Sequence, residues 1–161
     1  MNSSQNVNCF GNGTGSIDIG VSGGTGPYSY SWNSGASTQD LTGITAGTYT
    51  INITDANGCT ATQSATITQP AAALSSTATV TSQVACFAGN NGAIDLSVAG
   101  GTTPYSYVWS NGASSQDISS LTAGTYTVTI TDANGCTNQR SASVTQPSAA
   151  LSSNATTFAN V

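Results

Sequence analysis

The chain has no histidine, no lysine and no glutamate, and Arg140 is its single basic residue. Six aspartates are its only acids, so charged residues make up 4% of 161 positions and the formal net charge is -5. An ordinary soluble domain carries about 25% charged residues. Without a basic patch there is no positive field to gather phosphates or anionic lipid, which excludes nucleic acid as a partner. General acid-base and nucleophilic catalysis draw on His, Lys, Glu or an activated Cys, so no enzymatic activity and no cofactor are expected. No window approaches the roughly 18 apolar residues of a membrane span, so membrane insertion is not expected. The first ten residues also lack the charged start and apolar stretch of a secretory signal, and the chain reads as a piece of a longer protein. What is abundant is Ser and Thr, together 50, and Gly, 18, while strong helix formers other than Ala are scarce. That balance favours strands and turns, and the predicted class is all-β.

Sliding the sequence along itself gives an ungapped match at an offset of 77, with 41 of 66 positions identical between residues 9–74 and 86–151. The run GGTGPYSYSW from Gly23 returns as GGTTPYSYVW from Gly100, and AGTYTINITDANGCT from Ala46 returns as AGTYTVTITDANGCT from Ala123. A period of this length is too long for a solenoid and suits a small autonomous sandwich placed in series with others. The expected domains are 1–70, with its opening strand truncated, and 71–147, followed at 148–161 by the opening strand of a further repeat. Within a copy the apolar period is two: Ile17, Ile19, Val21; Tyr28, Tyr30, Trp32; Tyr49, Ile51, Ile53; Ala65, Ile67. Each set is the buried face of a half-exposed strand. Turn signals separate them, among them Asp55-Ala56-Asn57-Gly58, where Asn and Gly supply the positive φ of a tight hairpin. This spacing predicts two tandem immunoglobulin-like β-sandwiches. The Gly-Thr-Tyr that ends at Tyr49, and again at Tyr126, resembles a tyrosine corner.

The four cysteines occupy equivalent positions, Cys9 and Cys59 in one copy, Cys86 and Cys136 in the other, and allow three pairings. If the first and last strands of a sandwich run parallel, Cys9 and Cys59 fall at one end. Disulfides Cys9–Cys59 and Cys86–Cys136 are therefore expected. A zinc site is disfavoured, because there is no His and no CxxC spacing. Oxidised pairs imply an exported protein.

Taken together, Cys-Phe, a Gly/Asn-rich loop, Ile-Asp, Gly-Gly-Thr-x-Pro-Tyr-Ser-Tyr-x-Trp, Ala-Gly-Thr-Tyr-Thr-x-x-Ile-Thr-Asp-Ala-Asn-Gly-Cys and Thr-Gln-Pro resemble the SprB repeat of giant surface adhesins of gliding Bacteroidetes. More distantly the chain is similar to polycystic-kidney-disease (PKD) and immunoglobulin-like domains. The resemblance implies type IX secretion, display on the outer cell surface, and a filament serving adhesion and gliding motility. It brings no catalytic residue.

Strict alternation places Tyr28, Tyr30 and Trp32 on one strand face, so these residues, Tyr49, and their counterparts Tyr105, Tyr107, Trp109 and Tyr126 are expected in the core rather than as a sugar-stacking platform. The Asp55 loop lacks the remaining ligands of a calcium loop, and a looser site on Asp18, Asp40 or Asp55 is the weaker alternative to a plain turn. Arg140 answers to Gln63 in the other copy and is expected to be a solvated charge. The function expected is a structural spacer whose partners are adjacent repeats. The alternative is a module that binds surface polysaccharide. The segment from Ala149 to Ala159 repeats the strand pattern of Leu74 to Val80, which raises head-to-tail self-association by strand donation.

Overall fold

A computed structural model describes residues 2–153. Its strands are β1 (Ser3–Gln5), β2 (Gly15–Asp18), β3 (Ser29–Trp32), β4 (Leu41–Ile44), β5 (Gly47–Thr54), β6 (Thr60–Ile67), β7 (Ser75–Ser82), β8 (Gly92–Ala99), β9 (Ser106–Trp109), β10 (Ile118–Leu121), β11 (Gly124–Thr131) and β12 (Thr137–Val144). Among the described residues there is no helix. The chain divides into two compact units. Of the described residues, the first gathers those up to Ser75 with Ala99–Pro104 and Asp132–Cys136; the second holds Ser76–Val98, Tyr105–Thr131 and those from Thr137 to Ser153.

In the first unit β1-β2-β4 form one three-stranded sheet and β3-β5-β6 the other. With strands lettered in chain order and one sandwich strand missing, these are the ABE and CFG sheets of an immunoglobulin-like sandwich. The period-two pattern explains the layers. Ile17 of β2 and Ile19 just past its end cluster with Trp32, Ile51, Ala65 and Ile67 from the second sheet, and Val7 and Leu41 complete the buried cluster. The outward positions of β5 and β6 carry hydroxyls in cross-strand pairs, Thr48 with Thr66 at 3.3 Å and Thr50 with Ser64 at 2.9 Å. That pairing gives the abundant Ser and Thr a structural use.

The second unit repeats this pattern with sheets β10-β8-β7 and β12-β11-β9. Its buried apolar residues Val84, Ile94, Leu96, Trp109, Ile118, Val128 and Val144 stand 77 positions after Val7, Ile17, Ile19, Trp32, Leu41, Ile51 and Ile67. The opening strand differs in extent: β7 has eight residues where β1 has three. Of the strand expected over 149–159, the described part to Ser153 is not in a strand and the Leu151 side chain is fully exposed. The remainder lies outside the described residues.

Candidate functional site

The Asp-Ala-Asn-Gly-Cys loop of each copy is held by several hydrogen bonds to its aspartate. Gly58, at φ +85°, donates its amide to the Asp55 carbonyl at 3.0 Å, and the Asp55 amide donates to the Cys59 carbonyl at 2.9 Å, which closes the β5–β6 hairpin. The Asp55 carboxylate then takes three more amides: Asn57 at 2.9 Å and Cys59 at 2.8 Å on Oδ1, and Thr25 at 3.0 Å on Oδ2. Asp132 repeats this with Asn134 and Cys136 at 2.9 Å each on Oδ1 and Thr102 at 2.9 Å on Oδ2. A carboxylate that accepts several amides is stabilised in its charged form. The Cys59 amide first, then that of Thr25, hold the Asp55 carboxyl below its ordinary value. For Asp132, burial pushes the carboxyl up, but the amides of Thr102, Cys136, Asn134 and Gly135 outweigh it and the net shift is downward.

A second aspartate does comparable work on the other sheet. Asp40 Oδ1 accepts the Ile19 amide at 2.9 Å while the Gln39 side-chain amide donates to the Ile19 carbonyl at 2.5 Å. Gln116 and Asp117 clamp Leu96 in the same way, at 2.6 and 2.9 Å. The Gln-Asp pair thus stands in for a strand partner beside a buried residue whose backbone needs both bonds satisfied.

Trp32 and Trp109 are buried and donate their indole N–H to the carbonyls of Thr38 and Ser115. The tyrosines are half-buried rather than enclosed. The Tyr28 hydroxyl donates to the Gly23 carbonyl, Tyr30 to Gln39 and Tyr107 to Gln116. Tyr49 and Tyr126 donate to the carbonyls four residues upstream, Thr45 and Thr122, both at 3.0 Å, which is the tyrosine-corner geometry. Tyr105, also half-buried, completes the set. Asp18, Asp40 and Asp55 do not converge: Asp18 meets Asn2, and the other two bind the separate amides described above. Among the described residues no three His, Cys, Asp or Glu gather as a metal site. Arg140 is exposed, yet its Nε donates to the Ser76 carbonyl at 2.7 Å, a bond that nothing in the repeat comparison signalled.

The cysteine pairing is corrected by the structure. Cys9 is bonded to Cys136, and Cys59 and Cys86 are free and exposed. The reason is which end of β6 the leading segment meets. The Val7 amide donates to the Thr68 carbonyl and the Gly11 amide to Gln69 Oε1, so Cys9 lies past the end of β6, whereas Cys59 immediately precedes its start. An eight-residue strand of about 26 Å separates them, against the limit of about 7 Å between Cα atoms that a disulfide can bridge. Cys136, part of the first compact unit, instead comes within 5.8 Å of Cys9 between Cα atoms, and Asn134 Nδ2 donates to the Asn8 carbonyl at 3.0 Å beside the bond.

A groove opens along the first unit between the segment that follows β2 and the strand β6, lined by Ile19, Val21, Ile53, Ala61 and Gln63. At the matching positions of the second unit Ser76 fills the space: its hydroxyl donates to Asn138 Oδ1 at 2.5 Å, and its carbonyl takes the Arg140 bond. Ile130 is accordingly 0% exposed, while Ile53, its counterpart, is half-buried.

The family model described as the SprB repeat matches residues 1–37 and 78–114. Together these segments cover 74 of the 161 residues. The matched segments stand one sequence period apart and contain the Cys-Phe pair, two tyrosines and the buried tryptophan of each copy. Repeats of this kind belong to surface adhesins of gliding motility. No curated protein matches the chain. Among solved structures, it is similar to three N-terminal domains of the highly immunogenic outer capsid protein (Hoc) of bacteriophage RB49, with TM-score 0.46, 17% identity, and coverage of 89% of this chain and 57% of that one. The chain thus spans a little over half the length of the phage chain. It is also similar to an amphioxus IgVJ-C2 molecule, with TM-score 0.38, 15% identity, and coverage of 84% and 98%. Murine CEACAM1b gives TM-score 0.32, 15% identity, and coverage of 74% and 85%.

Proposed function

We propose that the chain is a non-catalytic spacer segment of a long cell-surface adhesin, exported by the type IX route, whose task is reach and mechanical continuity. The observation that carries this reading is the use made of the polar side chains shared by both copies. Asp55 and Asp132 each bind three loop amides, Asp40 and Asp117 each clamp a core strand, and the hydroxyls of Tyr49 and Tyr126 are tied to the backbone. Groups that would otherwise bind a ligand or perform chemistry are engaged in holding the sandwich. Burial of Trp32 and Trp109 weighs against the polysaccharide-binding alternative, because stacking sugars needs an exposed ring. Adjacent repeats are the partners in this reading.

Small-angle scattering on a longer tandem array, recorded in reducing buffer, tests it. An elongated particle whose length grows linearly with repeat number is expected. A compact particle, or retention of the two-copy chain on a surface-polysaccharide column, contradicts it.

A further inference from the structure

The bond between Cys9 and Cys136 joins the leading cysteine of one copy of the motif to the trailing cysteine of the next, because Cys136 is Cys59 moved by one period. Applied one step further in each direction, the same rule leaves two unsatisfied halves: a leading cysteine, Cys86, and a trailing one, Cys59. These are the two cysteines that are free and exposed. We propose that Cys86 and Cys59 form the next bond of this series, Cys86 of one chain with Cys59 of a second copy, so that neighbouring repeats are covalently stapled head to tail.

Both half-sites already have the shape of the bonded one. At the trailing end, Asp132 Oδ1 holds the Cys136 amide at 2.9 Å, and Asn134 Nδ2 donates to Thr102 Oγ1 and to the Asn8 carbonyl, both at 3.0 Å. Around Cys59, Asp55 Oδ1 holds the amide at 2.8 Å and Asn57 Nδ2 donates to Thr25 Oγ1 at 3.1 Å. The position of the Asn8 carbonyl is then supplied by Ala85 of the incoming copy, one period on. At the leading end, Gln69 Oε1 takes the Gly11 amide at 2.8 Å beside Cys9, and Gln146 Oε1 takes the Ala88 amide at 3.0 Å beside Cys86. Because the contact joins unlike ends, it does not close on itself, and it propagates a linear chain.

The step is an oxidation. Each thiol loses its proton, the pair gives up two electrons as the sulfur–sulfur bond forms, and a disulfide oxidant such as oxidised glutathione accepts both and leaves as two thiols. The proposal deepens the spacer reading and rests on it; scattering in reducing buffer tests that reading without involving these thiols.

The test uses the full chain in a glutathione redox buffer. C59S keeps only Cys86 free and C86S only Cys59, so with one of them labelled with ¹⁵N the mixed dimer is resolved by mass. The mixed C59S–C86S disulfide dimer should exceed either homodimer at least tenfold, and the wild-type chain should give a ladder of reducible oligomers. A statistical mixture, with the heterodimer about twice each homodimer, overturns the proposal, as does the absence of any ladder from the wild-type chain.

Discussion

Ser120 stands at φ +58° in β10 where its counterpart Gly43 stands at φ +68° in β4, and the sheet register shifts at both places. The left-handed region costs an L side chain roughly 1 kcal/mol that glycine avoids. Ser120→Gly should therefore stabilise the second unit by about 1 kcal/mol, and Gly43→Ser should destabilise the first by a similar amount. Urea unfolding of both variants measures this; an Ser120→Gly variant less stable than the parent would contradict it.

The aspartate loops predict an acid limit. Both Asp55 and Asp132 have carboxyl pKa values lowered by folding, so each contributes stability that is fully present above the unfolded value of about 4 and is lost as pH falls through the lower folded value. With no histidine in the chain, melting temperature should be flat between about pH 5 and 7.5 and fall below about pH 4. Asp132→Asn should lower the plateau and shrink the acid-side fall. A steep change near pH 6 would be incompatible with this.

Ile130 and Ile53 occupy one repeat position but differ in burial, which makes a matched pair of truncations informative. Ile130→Ala should cost about 3 kcal/mol and Ile53→Ala clearly less, since the open groove already leaves Ile53 in contact with solvent. Differential scanning calorimetry of the two variants decides it; equal losses would mean that the groove is closed in solution.

How much of this was legible in the sequence depends on the range of each interaction. The strands around Trp32 and Ile51 follow from period-two alternation, and the Asp55 turn follows from Asn and Gly close by, because both are local rules. Tyr49 reaches only four residues back, so its corner also left a sequence signature. The cysteine pairing did not, since it depends on which end of β6 the chain at Val7 meets, and no residue near Cys9 encodes that. The clamp of Asp40 on Ile19 was equally hidden: it spans 21 residues and replaces a missing strand partner, which alternation cannot reveal.

The connectivity of Cys9 is the point on which the stapled-spacer account turns, and one digest reads it. A protease cutting before aspartate divides the chain at Asp18, Asp40, Asp55, Asp95, Asp117 and Asp132, placing Cys9 in 1–17, Cys59 with Cys86 in 55–94, and Cys136 in 132–161. Non-reducing mass spectrometry after alkylation of free thiols should find 1–17 joined to 132–161, with 55–94 doubly alkylated in the monomer. Finding both 1–17 and 132–161 attached to 55–94 would mean that Cys9 and Cys136 are bonded elsewhere, and would contradict the account.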